Sequence, residues 1–89
     1  MPTWLAFCYR LPSEPSAPRV ALWRALQRLD GGLLQDGVFV ARDEPETRLA
    51  LQNLAHDVRN DGGEATLLDI ARVDDERHLK ARLAARKKG

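Results

Sequence analysis

The sequence predicts a single α+β domain in which two helices pack against one antiparallel sheet. The first observation is Asp36-Gly37 between two apolar runs, a pattern typical of a two-residue hairpin loop with positive φ at both positions. The second is a helical pattern on each side of this hairpin, and the third is a strand-like run at each end. This β-α-β-β-α-β order indicates a ferredoxin-like two-layer sandwich with a four-stranded antiparallel sheet. We expect the domain to cover residues 1–73, and residues 74–89 to form a basic helical or frayed tail.

The first half of the chain should contain strand one, helix one and the hairpin. Residues 3–10 are rich in aromatic side chains and are followed by Leu11-Pro12, as expected of a short strand. Ser16 is a suitable N-cap for helix one, which should run to about Asp30. Gly31-Gly32 is the expected end of that helix. A broad apolar stripe at helical spacing should face the core and comprises Val20, Leu22, Trp23, Leu26 and Leu29.

The second half should contain helix two, the last strand and the tail. Asp43 and Glu46 have the spacing of a capping box, which predicts the start of helix two. Asp61-Gly62-Gly63 should end this helix, and the last strand should follow over residues 64–71. The segment from residue 74 to residue 88 has helical composition but few apolar side chains, so alone it would form a marginal helix.

The helix-free face of the sheet should be apolar in strands one and three, the central pair of this arrangement. Side chains of a strand alternate between its two faces, and both phases of these strands carry apolar residues. A cover is therefore needed. We expect a second copy stacked sheet to sheet, which makes a homodimer, and the C-terminal segment folding back is the alternative cover. The expected dimer interface comprises Trp4, Cys8, Val38 and Val40.

Composition limits the environment and the cofactors of the protein. The chain has one cysteine and therefore no intramolecular disulfide, which fits a reducing compartment. No apolar run approaches the roughly 20 residues of a membrane span, and the N-terminus has no secretory pattern. We expect a cytoplasmic protein with no membrane partner. His56 and His78 have no metal-ligand spacing, and the paired glycines do not follow strands, so we expect neither a metal nor a cofactor.

An enzyme is the less favoured interpretation. A metal-dependent nuclease on a ferredoxin-like dimer would need an acidic residue at the end of strand one, where this sequence has Arg10. A guanidinium group there would repel a divalent cation. Asp36 and Asp43 remain as carboxylates, each with a structural role of its own. A divergent nuclease is kept as an alternative function, beside a dimerisation domain that binds no ligand.

Arginines near helix one and a basic tail are the candidate binding groups. Guanidinium groups match oxyanion and phosphate oxygens bidentately. The candidate oxyanion- or DNA-binding residues are Arg10, Arg19, Arg24 and Arg28. The alternative is a solvated helix face with ion pairs to Glu14, Asp30 and Asp36. Arg19 could also stack on Trp23, four residues on. A basic tail can bind phosphate backbones through counterion release, and its candidate residues are Lys80, Arg82, Arg86, Lys87 and Lys88.

Two blocks of sequence carry a resemblance to a known family. Pro18-Arg19-Val20 through Trp23-Arg24-Ala25-Leu26, followed by Leu34-Gln35-Asp36-Gly37-Val38, resembles the N-terminal domain of the chromate-resistance regulator ChrB. The similarity spans residues 3–70, and a weaker one extends to PaaX-type repressors. The resemblance implies transcriptional control of chromate-efflux genes, with promoter DNA and the chromate oxyanion as partners. It also implies that Arg19 and Arg24 make the contacts. The family's usual protein has a further C-terminal domain.

Overall fold

The computed structural model describes residues 3–88, with side chains described through residue 85. The described elements are β1 (Trp4–Arg10), α1 (Ala17–Gln27), β2 (Gly31–Gln35), β3 (Val38–Arg42), α2 (Pro45–Asn60), β4 (Glu64–Ile70) and α3 (Glu76–Lys88). The strands form one antiparallel sheet in the order β2-β3-β1-β4. The predicted α+β fold of ferredoxin-like type is confirmed, with β1 and β3 at the centre of the sheet.

The main core lies between the sheet and helices α1 and α2. Leu5 and Phe7 of β1 are fully buried on this face, and Phe39 of β3 is buried beside them. The helices contribute residues three or four positions apart, because such positions lie on one face of a helix. The buried residues are Leu22 and Leu26 of α1 and Thr47, Leu51, Ala55 and Val58 of α2.

Helix α3 covers the opposite face of the sheet. Leu79 and Leu83, one helical turn apart, pack in a second cluster with Trp4, Ala6 and Val40. The start of α3 is capped by Asp75, whose carboxylate accepts a hydrogen bond from the backbone N–H of His78 at 3.0 Å. The C-terminal segment therefore folds back over the sheet, which is the alternative cover that the sequence left open.

Close packing of α3 depends on a glycine in β2. A Cβ atom at Gly32 would lie 2.8 Å from the backbone oxygen of Leu83 and 3.2 Å from its Cβ. Any larger residue would therefore move the helix away from the strand. Arg82 of α3 also binds β2, since its Nη2 donates a hydrogen bond to the backbone oxygen of Leu34 at 2.7 Å.

The predicted interface residues divide into two pairs. Trp4 and Val40 are buried in the cluster under α3, so their burial requires no second copy. Cys8 and Val38 lie on the same face and are half-buried. Leu68 of the edge strand β4 shares this face and is 48% exposed. Formation of a homodimer stays a prediction.

The glycine pair after α1 does not end that helix, and this prediction is wrong. Gly31 and Gly32 are the first two residues of β2. The helix ends at Gln27 because the backbone N–H groups of Arg28 and Leu29 bond the carbonyl oxygens three residues earlier, at 3.2 and 3.1 Å. These bonds tighten the last turn and redirect the chain before the glycines are reached.

The hairpin loop has two residues, as predicted, but a different backbone conformation. Gln35 pairs with Val38 across the loop, and Gly37 has φ +81°. Asp36 does not adopt positive φ, since no described residue other than glycine does. A register shift between Leu33 and Gln35 marks a bulge in β2, which adds local twist without a second positive φ.

The capping box is also wrong, because another residue takes the carboxylate of Asp43. Helix α2 begins at Pro45 after the N-cap Glu44, and no side chain caps it. Asp43 Oδ1 accepts hydrogen bonds from Arg48 Nε and Nη2 at 3.3 and 3.1 Å. Arg48 Nη2 also donates to Asp69 Oδ1 at 2.6 Å, and this bond is the main cause of the raised pKa of Arg48. The guanidinium therefore ties α2 to the end of β4.

Candidate anion-binding cleft

A cleft of about 590 Å³ lies where the end of β1, the start of α1 and the β2–β3 turn meet. We call it the α1 cleft. The turn is held against β1 by a hydrogen bond from the backbone N–H of Tyr9 to the carbonyl oxygen of Gly37, at 2.8 Å. The lining residues are Tyr9, Arg10, Leu11, Ser16, Arg19, Val20, Leu22, Trp23, Asp36 and Gly37. The cleft therefore combines an apolar wall with two guanidinium groups.

The structure brings two of the four candidate arginines together. Arg10 is the last residue of β1 and Arg19 lies in the first turn of α1, and both line the α1 cleft. Arg24 is five positions beyond Arg19, which places it about 140° further around the helix axis. Arg28 follows the last helical residue. Arg24 and Arg28 are exposed but lie outside the lining of the cleft.

None of these four arginines forms an ion pair within the described part of the chain. The ion pairs there involve Arg42, Arg48, Arg72 and Lys80. The predicted stack of Arg19 on Trp23 is not found, and the cation–π contact between described residues is that of Arg42 over Trp4, at 4.8 Å. The four arginines therefore take no part in the ion pairs of the described residues, and their positive charge can attract an anion.

The N-terminus of α1 adds positive potential to the cleft. Ser16 is the N-cap residue, as predicted, but its hydroxyl makes no capping hydrogen bond. The first turn of α1 also contains no acidic side chain. A helix N-terminus carries a partial positive charge that favours anions, and here no carboxylate of the first turn offsets it. Both the helix end and the two arginines therefore favour a negatively charged ligand.

The apolar wall of the cleft was not predicted from the sequence. Val20 and Trp23 belong to the stripe expected to face the core, but they are 45% and 54% exposed. Helix α1 is short and buries only Leu22 and Leu26. The width of the apolar stripe could have indicated this exposure. Five apolar positions cover more of the helix surface than contact with one sheet can bury.

The basic residues of α3 lie on the other side of the sheet from the cleft. Helix α1 packs in the main core, whereas α3 packs in the second cluster on the opposite face. Two predicted DNA contacts of α3 have partners within the chain: Arg82 bonds Leu34, and Lys80 Nζ lies 3.6 Å from Glu76 Oε1. The side chains of Arg86, Lys87 and Lys88 lie outside the described residues. The arginines near helix α1 and the described basic side chains of α3 therefore do not form one surface.

Asp36 and Asp43, the two carboxylates considered for a divergent nuclease, lie at opposite ends of β3. Asp36 precedes β3 and Asp43 follows it, so the whole strand separates them. Over residues 3–88, no three His, Cys, Asp or Glu side chains come close enough to hold a metal ion. No helix in the same range is long and apolar enough to cross a bilayer.

Comparison with known proteins links the chain to one family. Residues 19–88 match the family model described as "Protein ChrB, N-terminal", a range that runs from the first turn of α1 to the end of α3. The chain is also 30% identical over 79 residues to Protein ChrB of Cupriavidus metallidurans. This similarity covers 89% of the chain and 24% of the relative, so the chain spans about a quarter of that protein's length. No solved structure matches the chain.

Proposed function

This chain belongs to the family of ChrB N-terminal domains, and from that premise we propose that it is the DNA-contacting module of a chromate-resistance regulator. The observation that carries the proposal is the pairing of Arg10 and Arg19 in one cleft, without described ion-pair partners. Guanidinium groups bind phosphate oxygens with matching geometry, and the N-terminus of α1 adds to the attraction. The proposed role is binding rather than catalysis, and its site of action is the cytoplasm.

In this proposal the contact with DNA is made by the α1 side of the domain. Arg10 and Arg19 take phosphate oxygens at the cleft. Arg24 of α1 and Arg28 just after this helix are exposed and approach neighbouring phosphates. Such contacts position a protein on DNA but do not read its sequence. Helix α3 is on the opposite face and serves mainly as the cover of the sheet. Sequence recognition would then require groups other than these arginines.

Chromate is proposed as a weaker ligand of the same arginines. Two guanidinium groups can bind a tetrahedral dianion, but the α1 cleft is much larger than such an ion needs. One water molecule takes about 30 Å³ of liquid, and an ion with four oxygens takes only a few times that volume. Chromate alone would leave the apolar wall beside Trp23 unfilled. Phosphate groups of a larger ligand fit the observed cleft better.

A salt-titrated binding assay tests the proposal. The whole chain is titrated with a short DNA duplex between about 50 and 200 mM salt, with added chromate or sulfate in parallel. We expect affinity to fall linearly on logarithmic axes, with a slope of about −0.9 for each phosphate contact. Arg19→Gln should weaken binding and reduce the magnitude of the slope by about one, and the double change with Arg10→Gln by about two.

The matched control is Arg72→Gln, which removes an exposed arginine between β4 and α3. Its ion pair with Asp74 joins two side chains that are both more than four-fifths exposed, so its loss should not alter the fold. We expect Arg72→Gln to lower affinity and slope much less than Arg19→Gln. Equal effects of the two changes would show general charge attraction and would contradict the proposal, as would binding that does not respond to salt.

A further inference from the structure

The α1 cleft has more features than a phosphate site requires. Its wall contains the indole of Trp23, a large aromatic side chain that is 54% exposed, whereas Trp4, Phe7 and Phe39 are buried. Val20 beside it is 45% exposed. The volume of about 590 Å³ lies within the range of roughly 300–1,000 Å³ that is usual for sites binding small organic molecules. The cleft is therefore built for a ligand with an apolar or aromatic part.

We propose that the α1 cleft binds a nucleotide, with its base stacked on Trp23 and its phosphate between Arg10 and Arg19. This inference rests on the proposed function and deepens it, because it assigns the arginines to the phosphate of one particular nucleotide. The base would be unpaired, since a base inside a duplex is already stacked on its neighbours and cannot stack on a side chain. Either a free nucleotide or an unpaired position in a DNA strand supplies this chemistry.

The mixture of charges in the cleft favours a nucleotide over a bare oxyanion. The carboxylate of Asp36 also lines the cleft, and it would repel an inorganic dianion that moved freely there. A base with an exocyclic amino group can instead donate a hydrogen bond to a carboxylate, as cytosine does through its N4 amino group. Arg10 and Arg19 provide the opposite charge for the phosphate. A ligand with separate donor and anionic ends is compatible with both kinds of charge in the cleft.

Aromatic stacking supplies the part of the affinity that distinguishes this inference. When an aromatic side chain that stacks on a base is replaced by alanine, the affinity for the nucleic acid falls by about 5- to 150-fold. Arginine contacts with phosphate are lost as salt rises, whereas stacking is affected much less. Binding of a nucleotide should therefore retain a component at high salt that depends on Trp23.

The two tryptophans allow this binding to be observed directly. Trp23 is half-exposed in the cleft, and Trp4 is buried at 4% exposure under α3. Their indole N–H groups give separate signals in NMR spectra, which a Trp23→Leu variant assigns. Deoxycytidine monophosphate, a short single-stranded oligodeoxycytidine and inorganic phosphate are the probes. Deoxyribose 5-phosphate is the matched ligand, because it carries the same phosphate and sugar without a base.

We expect deoxycytidine monophosphate to shift the Trp23 signal and not the Trp4 signal. It should bind at least 5-fold more tightly than deoxyribose 5-phosphate, and calorimetry should show that Trp23→Leu removes this difference. The Trp4 signal at its original position verifies that the variant is folded. Binding of the oligonucleotide with the same Trp23 shift would assign the site to an unpaired strand, and binding of the mononucleotide alone would assign it to free nucleotides.

Equal affinity for deoxyribose 5-phosphate and deoxycytidine monophosphate would overturn the inference, and so would binding that is unchanged in Trp23→Leu. Absence of binding for both nucleotide probes would overturn it as well. These failures differ from failure of the proposed function. Salt-dependent duplex binding that requires Arg19 but not Trp23 would leave the proposed function intact and contradict the nucleotide site. Nucleotide binding without duplex binding would contradict the proposed function and leave the nucleotide site intact.

Discussion

Leu83→Asp should release α3 from the sheet and expose Trp4 to water. Leu83 is 7% exposed, and it packs with Leu79 on Trp4 and Val40. Burying a leucine side chain contributes about 1.5–3 kcal/mol, and an unpaired carboxylate in its place adds a desolvation cost. The indole Nε1 of Trp4 is also buried there without a hydrogen-bond partner within the described residues, which weakens the docked state. The free energy lost in Leu83→Asp cannot exceed the free energy with which α3 docks on the sheet, because a larger cost simply detaches the helix.

Fluorescence measures this release. In a Trp23→Phe background Trp4 is the only tryptophan, and its emission should move to longer wavelength when α3 detaches. Released α3 would also uncover Ala6 and Val40, so light scattering should detect the self-association that the apolar face predicts. Ala81→Asp is the matched control, because it adds the same charge on the exposed side of α3. Unchanged Trp4 emission in Leu83→Asp would show that α3 does not cover this face.

A smaller change should weaken the same contact in a graded way. Gly32→Ala adds one methyl group against the backbone of Leu83, where a Cβ has only 2.8 Å to the carbonyl oxygen. We expect amide hydrogen exchange in α3 to accelerate while the β1 amides keep their protection, because the strand pairing is not altered. Equal acceleration in β1 and α3 would indicate that the sheet and α3 unfold as one unit.

Phe7→Ala should have the largest effect on the stability of the domain. Phe7 is fully buried at the centre of the main core and stacks on Tyr9 with ring centroids 5.4 Å apart. Truncation of a buried phenylalanine costs about 3–5 kcal/mol. At about 0.05–0.15 kcal/mol per residue, a domain of this length has a total stability of only about 4–13 kcal/mol. We therefore expect the variant to lose a large share of its stability and to unfold at a much lower urea concentration.

Urea unfolding compares this variant with Cys8→Ala. Cys8 is the next residue of β1, but its side chain lies on the opposite face of the sheet and is half-buried. Its truncation removes one sulfur atom from a partly covered position, so the midpoint of unfolding should change little. A cost for Cys8→Ala as large as that for Phe7→Ala would contradict the assignment of the main core to the α1 and α2 face.

The order of elements could be predicted because the hairpin signal and the helical periodicity both agree with the fold. The hairpin at Asp36-Gly37 and the periodicity of α2 depend on neighbours in sequence, and both were found where expected. The prediction of a capping box was wrong because of a residue that is distant in sequence. Asp43 is held by Arg48, and Arg48 is fixed by Asp69 of β4, which lies 21 residues further along the chain. Local spacing does not show such a competitor.

The cover of the sheet and the cleft depended on tertiary packing. Leu79 and Leu83 are two apolar residues in a strongly polar helix, so their pattern did not decide between α3 and a second copy as the cover. The space left by Gly32 becomes visible only when β2 faces α3. The same holds for Trp23, whose exposure depends on how little of the short helix α1 the sheet buries.

The central claim is that nucleic acid binds on the α1 side of the domain, away from α3. Amide NMR shifts of the whole chain on addition of a short DNA duplex test it most directly, because they report every backbone position at once. We predict shifts at Arg10, at Arg19 through Trp23 and at Gly37, and none over Lys80–Ala84. Shifts confined to α3, with the α1 cleft unchanged, would contradict the claim.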